Sequence, residues 1–135
     1  MMVEEKKKSN YVLIVDDNDE ARRLLSRIMI RFNVPYETVT NGLDALSKIA
    51  EMQPSLILLD LMMPGLDGFG VLNALRSNME TRRVPVVVVT ALSPEEANLL
   101  RLPGILDVTY KGDYSRLKGL VTDLIDKGVL TPTAK

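Results

Sequence analysis

The chain has 135 residues, the size of one domain, and carries 17 Lys and Arg against 18 Asp and Glu, for a net charge of −1. This near balance argues against nucleic-acid binding through phosphate contacts. The absence of histidine and cysteine excludes zinc fingers, disulfide frameworks, thiol chemistry and Ser–His–Asp triads. Any metal ion must be held by oxygen ligands, which favours a hard cation such as Mg²⁺ or Ca²⁺.

We predict that both ends of the chain lie outside the folded domain. Residues 1–9 carry charge with no apolar stretch after it, so we predict a flexible leader and no signal peptide. No run reaches the ~20 apolar residues of a membrane helix. We expect a cytoplasmic protein that contacts neither membranes nor nucleic acid directly. Residues 129–135 are expected to form a flexible tail, which leaves one domain over residues 10–128.

Between these ends, short apolar runs alternate with segments of helical periodicity. The predicted strands cover residues 11–15, 36–40, 55–59, 84–89 and 105–110. The predicted helices follow them in turn, at 21–32, 42–50, 68–78, 93–102 and 114–125. Strict alternation of strand and helix predicts an α/β fold, with a doubly wound five-stranded parallel sheet and helices on both faces.

Polar side chains stand where four of the predicted strands end. Asp16 and Asp17 follow the first strand, Asp60 the third, Thr90 the fourth and Lys111 the fifth. The carboxyl ends of parallel strands meet at one edge of a sheet, where ligands bind. Three carboxylates there repel one another unless a cation lies among them, and Mg²⁺ suits such a set. With the Lys111 ammonium and the Thr90 hydroxyl added, the sequence predicts a site where Asp60 attacks phosphorus and accepts a phosphoryl group.

These residues and their spacing resemble the receiver domain of bacterial response regulators, over residues 11–127. The resemblance rests on Asp16-Asp17, the loop D-x-M-M-P-x-x-D-G from Asp60 to Gly68, Thr90-Ala91 and Lys111. It implies a flavodoxin-like receiver fold and a signalling protein of a two-component system, which is not an enzyme beyond its own phosphorylation and slow self-dephosphorylation. A histidine kinase or phosphotransfer protein would supply the phosphoryl group in trans.

The resemblance also implies a role for each site residue. Asp60 is expected to be the phosphoacceptor, Thr90 to move toward the phosphoryl group, and Lys111 to pair with it. The implied Mg²⁺ ligands are Asp16, Asp17, Asp60 and the backbone carbonyl of Met62. An unknown downstream protein, or a second copy of the chain in a homodimer, is expected at the fourth helix, fifth strand and fifth helix.

Several positions depart from the family pattern. Gly112 follows Lys111 where proline is usual, and Val108 stands where an aromatic switch residue is usual, so the usual threonine–aromatic switch is in doubt. Met62 and Leu92 are apolar where polar groups commonly place the hydrolytic water, which predicts slow loss of the phosphoryl group.

These departures leave two alternatives open beside the receiver interpretation. One is a pseudo-receiver, a protein-interaction module without phosphoryl turnover. The other is an aspartate-nucleophile phosphohydrolase, although Asp60-Leu61-Met62 lacks the D-x-D motif of that class and the chain is short for a cap domain.

Overall fold

The computed structural model describes residues 10–102 and 104–133, and within them strands and helices alternate as predicted. The strands are β1 (Val12–Val15), β2 (Tyr36–Val39), β3 (Leu56–Asp60), β4 (Val86–Thr90) and β5 (Asp107–Tyr110). The helices are α1 (Asp19–Arg31), α2 (Gly42–Glu51), α3 (Gly68–Ser77), α4 (Pro94–Leu99) and α5 (Ser115–Asp126). The predicted leader, residues 1–9, lies outside the described residues.

The five strands form one parallel sheet in the order β2-β1-β3-β4-β5. This arrangement confirms the predicted doubly wound α/β fold. The chain places β2 on one side of β1 and then places β3 on the other side, so that β1 and β3 are neighbours in the interior of the sheet. Their carboxyl ends therefore bring residues 16–17 and residue 60 to the same edge.

Alternation along the strands divides the core into two halves. On β1, Val12 and Ile14 pack on the face covered by α1 and α5, whereas Leu13 and Val15 pack on the face covered by α2 and α3. All four side chains are fully buried. A strand buried on both faces has no polar position until it ends, which explains why the polar site residues begin where the strands stop.

Side-chain caps fix where the helices begin. Asn18 Oδ1 accepts a hydrogen bond from Ala21 N at 2.9 Å, so Asn18 caps α1. Asp67 Oδ1 accepts a hydrogen bond from Gly70 N at 2.9 Å and caps α3. Ser93 and Glu96 form a reciprocal capping box at α4. None of the helices in the described part of the chain is both long and apolar enough to cross a membrane.

Strand β5 is shorter than predicted, because it begins at Asp107 and not at Ile105. Gly104 turns the chain at a φ of +70°, a conformation that glycine adopts without steric cost. Residues 105 and 106 complete this turn before the register with β4 starts at Asp107 and Val87.

The segment after α5 packs against the domain. Leu130 is fully buried in the α1–α5 half of the core. Thr131 N donates to Asn10 Oδ1 at 2.9 Å, and Thr133 N donates to the Asn33 carbonyl at 2.8 Å. These contacts contrast with the flexible tail expected from residue 129, because a buried leucine anchors the chain beyond the end of the helix.

Arg76, at the end of α3, joins two loops that the sequence does not connect. Its guanidinium donates to the carbonyls of Arg82 at 2.7 Å, Val84 at 3.1 Å and Gly104 at 2.6 Å. The first two carbonyls belong to the connection before β4, and the third belongs to the connection before β5. Burial lowers the pKa of Arg76, and a charged donor to three carbonyls is a strong anchor for both loops.

We expect Arg76→Met to lower the free energy of unfolding by about 2 kcal/mol, because it removes three charge-assisted hydrogen bonds and leaves their acceptors unpaired. Urea denaturation measures the change, and Arg83→Met, at an exposed arginine, is the matched control. A change for Arg76→Met no larger than the roughly 0.5 kcal/mol of an ordinary surface substitution would contradict this role.

Candidate functional site

Three carboxylates meet at the carboxyl ends of β1 and β3. Asp16, Asp17 and Asp60 each offer a carboxylate oxygen, and these oxygens lie within 4.8 Å of one another. Asp16 and Asp60 are buried, whereas Asp17 is exposed at the rim. The structure thus brings together the three acids that the sequence predicts for one site.

Asp60 is the buried acid of the cluster that ends β3. Its Oδ1 accepts a hydrogen bond from Met62 N at 3.1 Å, and its side chain is 3% exposed. Burial, with the nearby Asp16 and Asp17 carboxylates, raises the pKa of Asp60 to about 6 against the opposing effects of Met62 N–H and Lys111. The site therefore holds an acid whose charge lacks sufficient compensation, which is the condition that a cation relieves.

Lys111 supplies the positive charge of the cluster. Its Nζ lies 2.9 Å from Asp16 Oδ2 and 3.7 Å from Asp60 Oδ2. Desolvation lowers the pKa of Lys111, but the hydrogen bond and charge of Asp16 outweigh it and leave the pKa raised. Lys111 N also donates to the Thr90 carbonyl at 2.8 Å, so the backbone fixes the base of this side chain beside β4.

Thr90 and Met62 flank Asp60 on two sides. Thr90 is fully buried at the end of β4, next to β3, and its Oγ1 accepts a hydrogen bond from Leu92 N at 3.1 Å. Met62 follows Asp60 in the loop, where its side chain is 60% exposed while its N–H binds Asp60. Met63, in contrast, is buried in the α2–α3 half of the core.

The two departures from the family pattern, Val108 on β5 and Gly112 just after it, have a clear local geometry. Gly112 has a φ of +98°, a value that only glycine adopts readily, and the described residues contain no cis peptide bond. Val108 pairs in register with Val88, two residues before the end of β4, and is half-buried. Tyr110 pairs with Thr90 and, by strand alternation, shares the face of Val108 and not that of Lys111.

Two supporting residues were not anticipated from the sequence. Arg22 Nη1 donates to the Asp16 carbonyl at 2.8 Å and holds the β1–α1 turn. Gly68 packs against the backbone at Asp60, where a Cβ would lie only 2.2 Å from the Asp60 carbonyl oxygen. For Gly68, the only signal in the sequence was its position as the last residue of the Asp60–Gly68 motif. The close approach of two backbone segments cannot be recognised from one sequence.

The donor set fits a hard divalent cation. The clustered carboxylates and the backbone carbonyls of the adjoining loop form the oxygen-rich environment that Mg²⁺ prefers. The raised pKa of Asp60 reflects the negative charge that such a cation would compensate. A buried carboxylate beside a lysine and a hydroxyl at the next strand end can also act as a nucleophile toward an electrophile that carries negative charge.

The chain resembles known proteins in both sequence and structure. A family model described as the response regulator receiver domain matches residues 12–104. The chain is 45% identical over 91 residues to protein-glutamate methylesterase/protein-glutamine glutaminase 5 of Myxococcus xanthus, an alignment that covers 65% of the chain. It spans only 25% of that relative's length.

Solved structures of two relatives have the same fold. The signal receiver domain of a signal transduction histidine kinase from Syntrophus aciditrophicus has a TM-score of 0.77 at 26% identity, covering 94% of this chain and 96% of that one. The response regulator protein TrrA from Thermotoga maritima, solved in complex with Mg²⁺-BeF, has a TM-score of 0.74 at 26% identity, covering 86% and 99%.

Proposed function

Because the chain belongs to the response regulator receiver domain family, we propose that it accepts a phosphoryl group on Asp60 from a histidine kinase or phosphotransfer protein. In this step an Asp60 carboxylate oxygen forms a bond to phosphorus, and the bond between phosphorus and the donor atom breaks. The donor keeps that electron pair, and the product is an aspartyl phosphate. The cytoplasmic location stays a prediction.

The observation that carries this proposal is the buried Asp60 carboxylate with the Lys111 ammonium 3.7 Å away. Lys111 neutralises charge on the phosphoryl oxygens, and its ion pair with Asp16 holds the ammonium at the site before any donor binds. Thr90 presents a hydroxyl at the adjoining strand end, where it can donate to a phosphoryl oxygen.

The proposed Mg²⁺ ligands are Asp16, Asp17, Asp60 and the backbone carbonyl of Met62. A bound Mg²⁺ supplies charge neutralisation for the incoming phosphoryl oxygens. The chain itself prepares the site, since Asn18 N donates to Asp16 Oδ1 at 2.9 Å and keeps that carboxylate oriented into the cluster.

The signal would leave through α4, β5 and α5, toward a downstream protein or a second copy of the chain. Leu99 is 82% exposed and Leu106 is 46% exposed on this side of the domain. Leucines that remain in water at the end of α4 and before β5 offer an apolar contact for such a partner.

A pseudo-receiver is the second candidate, because Val108 offers no aromatic ring for the usual switch. One experiment distinguishes the receiver from the pseudo-receiver. After incubation with acetyl phosphate and Mg²⁺, intact mass spectrometry is expected to show one added phosphoryl group, and chelation of Mg²⁺ is expected to prevent it. An unchanged mass with Mg²⁺ present would favour the pseudo-receiver.

Once the acyl phosphate has formed, we expect Leu92→Glu to shorten its lifetime by about tenfold, because a carboxylate can hold and activate a water that leucine cannot. The decay of the phosphorylated mass over time measures the lifetime. Leu43→Glu places the same change on exposed α2 and is the control. Equal lifetimes for Leu92→Glu and the unaltered chain would contradict the proposal that the apolar side chain of Leu92 keeps hydrolysis of the acyl phosphate slow.

A further inference from the structure

The loop between β3 and α3 carries Met62, whose backbone carbonyl is one of the proposed Mg²⁺ ligands. Apart from the Met62 N–H, no backbone group from Met62 to Leu66 forms a hydrogen bond within the described part of the chain. Pro64 and Gly65 lie exposed at the tip of the loop, where Gly65 turns the chain at a φ of +74°. Side-chain packing therefore holds this stretch, through buried Met63 before the tip and half-buried Leu66 after it.

Leu66 fills a notch whose two walls are glycines from neighbouring helices. A Cβ on Gly70, in α3, would overlap Leu66 Cδ1 and lie 3.3 Å from Leu66 Cγ. A Cβ on Gly42, the first residue of α2, would overlap the Leu66 carbonyl oxygen and lie 3.0 Å from Leu66 Cγ. The Leu66 side chain also packs against the α2–α3 half of the core. Leu66 thus occupies the space that a side chain at either glycine would need.

The backbone does not require glycine at either wall of the notch. Gly42 and Gly70 lie outside the left-handed region that favours glycine, whereas Gly65 lies within it. Gly70 is part of α3, and glycine is the least favourable residue in a helix after proline. Gly119, within α5, has open space at its Cβ position among the described residues. Close contact with Leu66 therefore distinguishes Gly70 from a helical glycine that meets no neighbour.

We infer that Leu66 is a positioning residue for the Mg²⁺ site, which acts by fixing the loop that presents the Met62 carbonyl. Met63 and Leu66 hold the chain on either side of its exposed tip, so the peptide between Met62 and Met63 is ordered before any ion binds. A loop that is already ordered loses less conformational entropy when its carbonyl binds a cation. The inference rests on the proposed function, since it takes the Met62 carbonyl to be a ligand.

Mg²⁺ binding to the unphosphorylated full chain, measured by isothermal titration calorimetry, tests this role. We expect Gly70→Ala to raise the Kd for Mg²⁺ by about tenfold, the lower end of the usual cost of losing a contact that supports a metal ligand. The added methyl group displaces the end of the Leu66 side chain and no backbone atom, so the fold should stay intact, which urea unfolding verifies. Leu66→Ala empties the same notch and should raise the Kd by a similar factor.

The double variant Gly70→Ala/Leu66→Ala should raise the Kd no more than the larger single effect, because both changes remove the same contact. Gly119→Ala adds the same methyl group in open space on α5, and this matched control should leave the Kd unchanged. With Mg²⁺ at saturation, Gly70→Ala should take up a phosphoryl group from acetyl phosphate within about twofold of the rate of the unaltered chain, because only ion binding is weakened.

A Kd for Gly70→Ala and Leu66→Ala equal to that of Gly119→Ala would overturn the inference and leave the proposed function in place. So would a rise in the double variant equal to the product of the two single rises, which is the behaviour of independent sites. An unaltered chain that binds Mg²⁺ but takes up no phosphoryl group would contradict the proposed function and not the role of Leu66. An unaltered chain that binds no Mg²⁺ would overturn both.

Discussion

Asp60→Asn is expected to abolish phosphoryl uptake from acetyl phosphate. The side chain keeps its size, but a neutral amide is a far poorer nucleophile than a carboxylate, and no acyl phosphate can form on it. Neither of the other two acids of the cluster is placed to substitute, because Asp16 is held by Lys111 and Asn18 N–H and Asp17 lies exposed at the rim. Intact mass after incubation with Mg²⁺ measures the loss.

The loss should occur without unfolding. Replacing one of three clustered carboxylates relieves like-charge repulsion and removes an acid whose pKa burial raises to about 6, so the variant should melt no lower than the unaltered chain near neutral pH. Asp126→Asn, at an exposed position on α5, is the matched control and should keep full uptake. Uptake by Asp60→Asn at the rate of the unaltered chain would exclude Asp60 as the acceptor.

Lys111→Met should slow phosphoryl uptake by about 10²-fold, the usual cost of removing one charge-stabilising donor from a reaction site. The Nζ lies 3.7 Å from Asp60 Oδ2, close enough to contact an oxygen of a phosphoryl group bound there. Methionine keeps the aliphatic stem of the side chain, so the change isolates the charge. The initial rate of mass gain at saturating acetyl phosphate measures the effect.

The same substitution should also lower stability, because buried Asp16 loses the ammonium 2.9 Å from its Oδ2. Rates are therefore compared at a temperature where both proteins are folded, as shown by circular dichroism. Lys127→Met breaks the exposed ion pair with Asp123 and is the control for loss of a surface lysine. A rate for Lys111→Met within about twofold of the unaltered chain would contradict its role, since removal of one such donor costs far more.

The sequence predicted most of the fold because strand and helix signals agreed along the whole chain. A strand such as Leu56–Asp60 is apolar until its last residue, and Ser93 with Glu96 marks a helix start without reference to the rest of the fold. The boundary of β5 was missed because a turn at Gly104 and an apolar residue at 105 are compatible with either strand or loop.

The site was predictable for a similar reason. Asp16 and Asp17 follow β1, Asp60 ends β3 and Lys111 follows β5, and a parallel sheet brings these three strand ends together. What the sequence did not reveal depends on contacts across the fold. The three carbonyls that Arg76 binds, and the packing of Leu130 into the core, bring together segments that no local pattern relates.

The measurement that tests the account most directly is the chemical location of the phosphoryl group. Protein phosphorylated by acetyl phosphate with Mg²⁺ is treated with hydroxylamine, which attacks an acyl phosphate, releases phosphate and leaves a hydroxamate on the acceptor carboxyl carbon. Digestion and tandem mass spectrometry then identify the modified residue. We predict a hydroxamate on Asp60 alone; a hydroxamate on another acid, or a phosphoryl group that survives hydroxylamine on a hydroxyl side chain, would contradict the account.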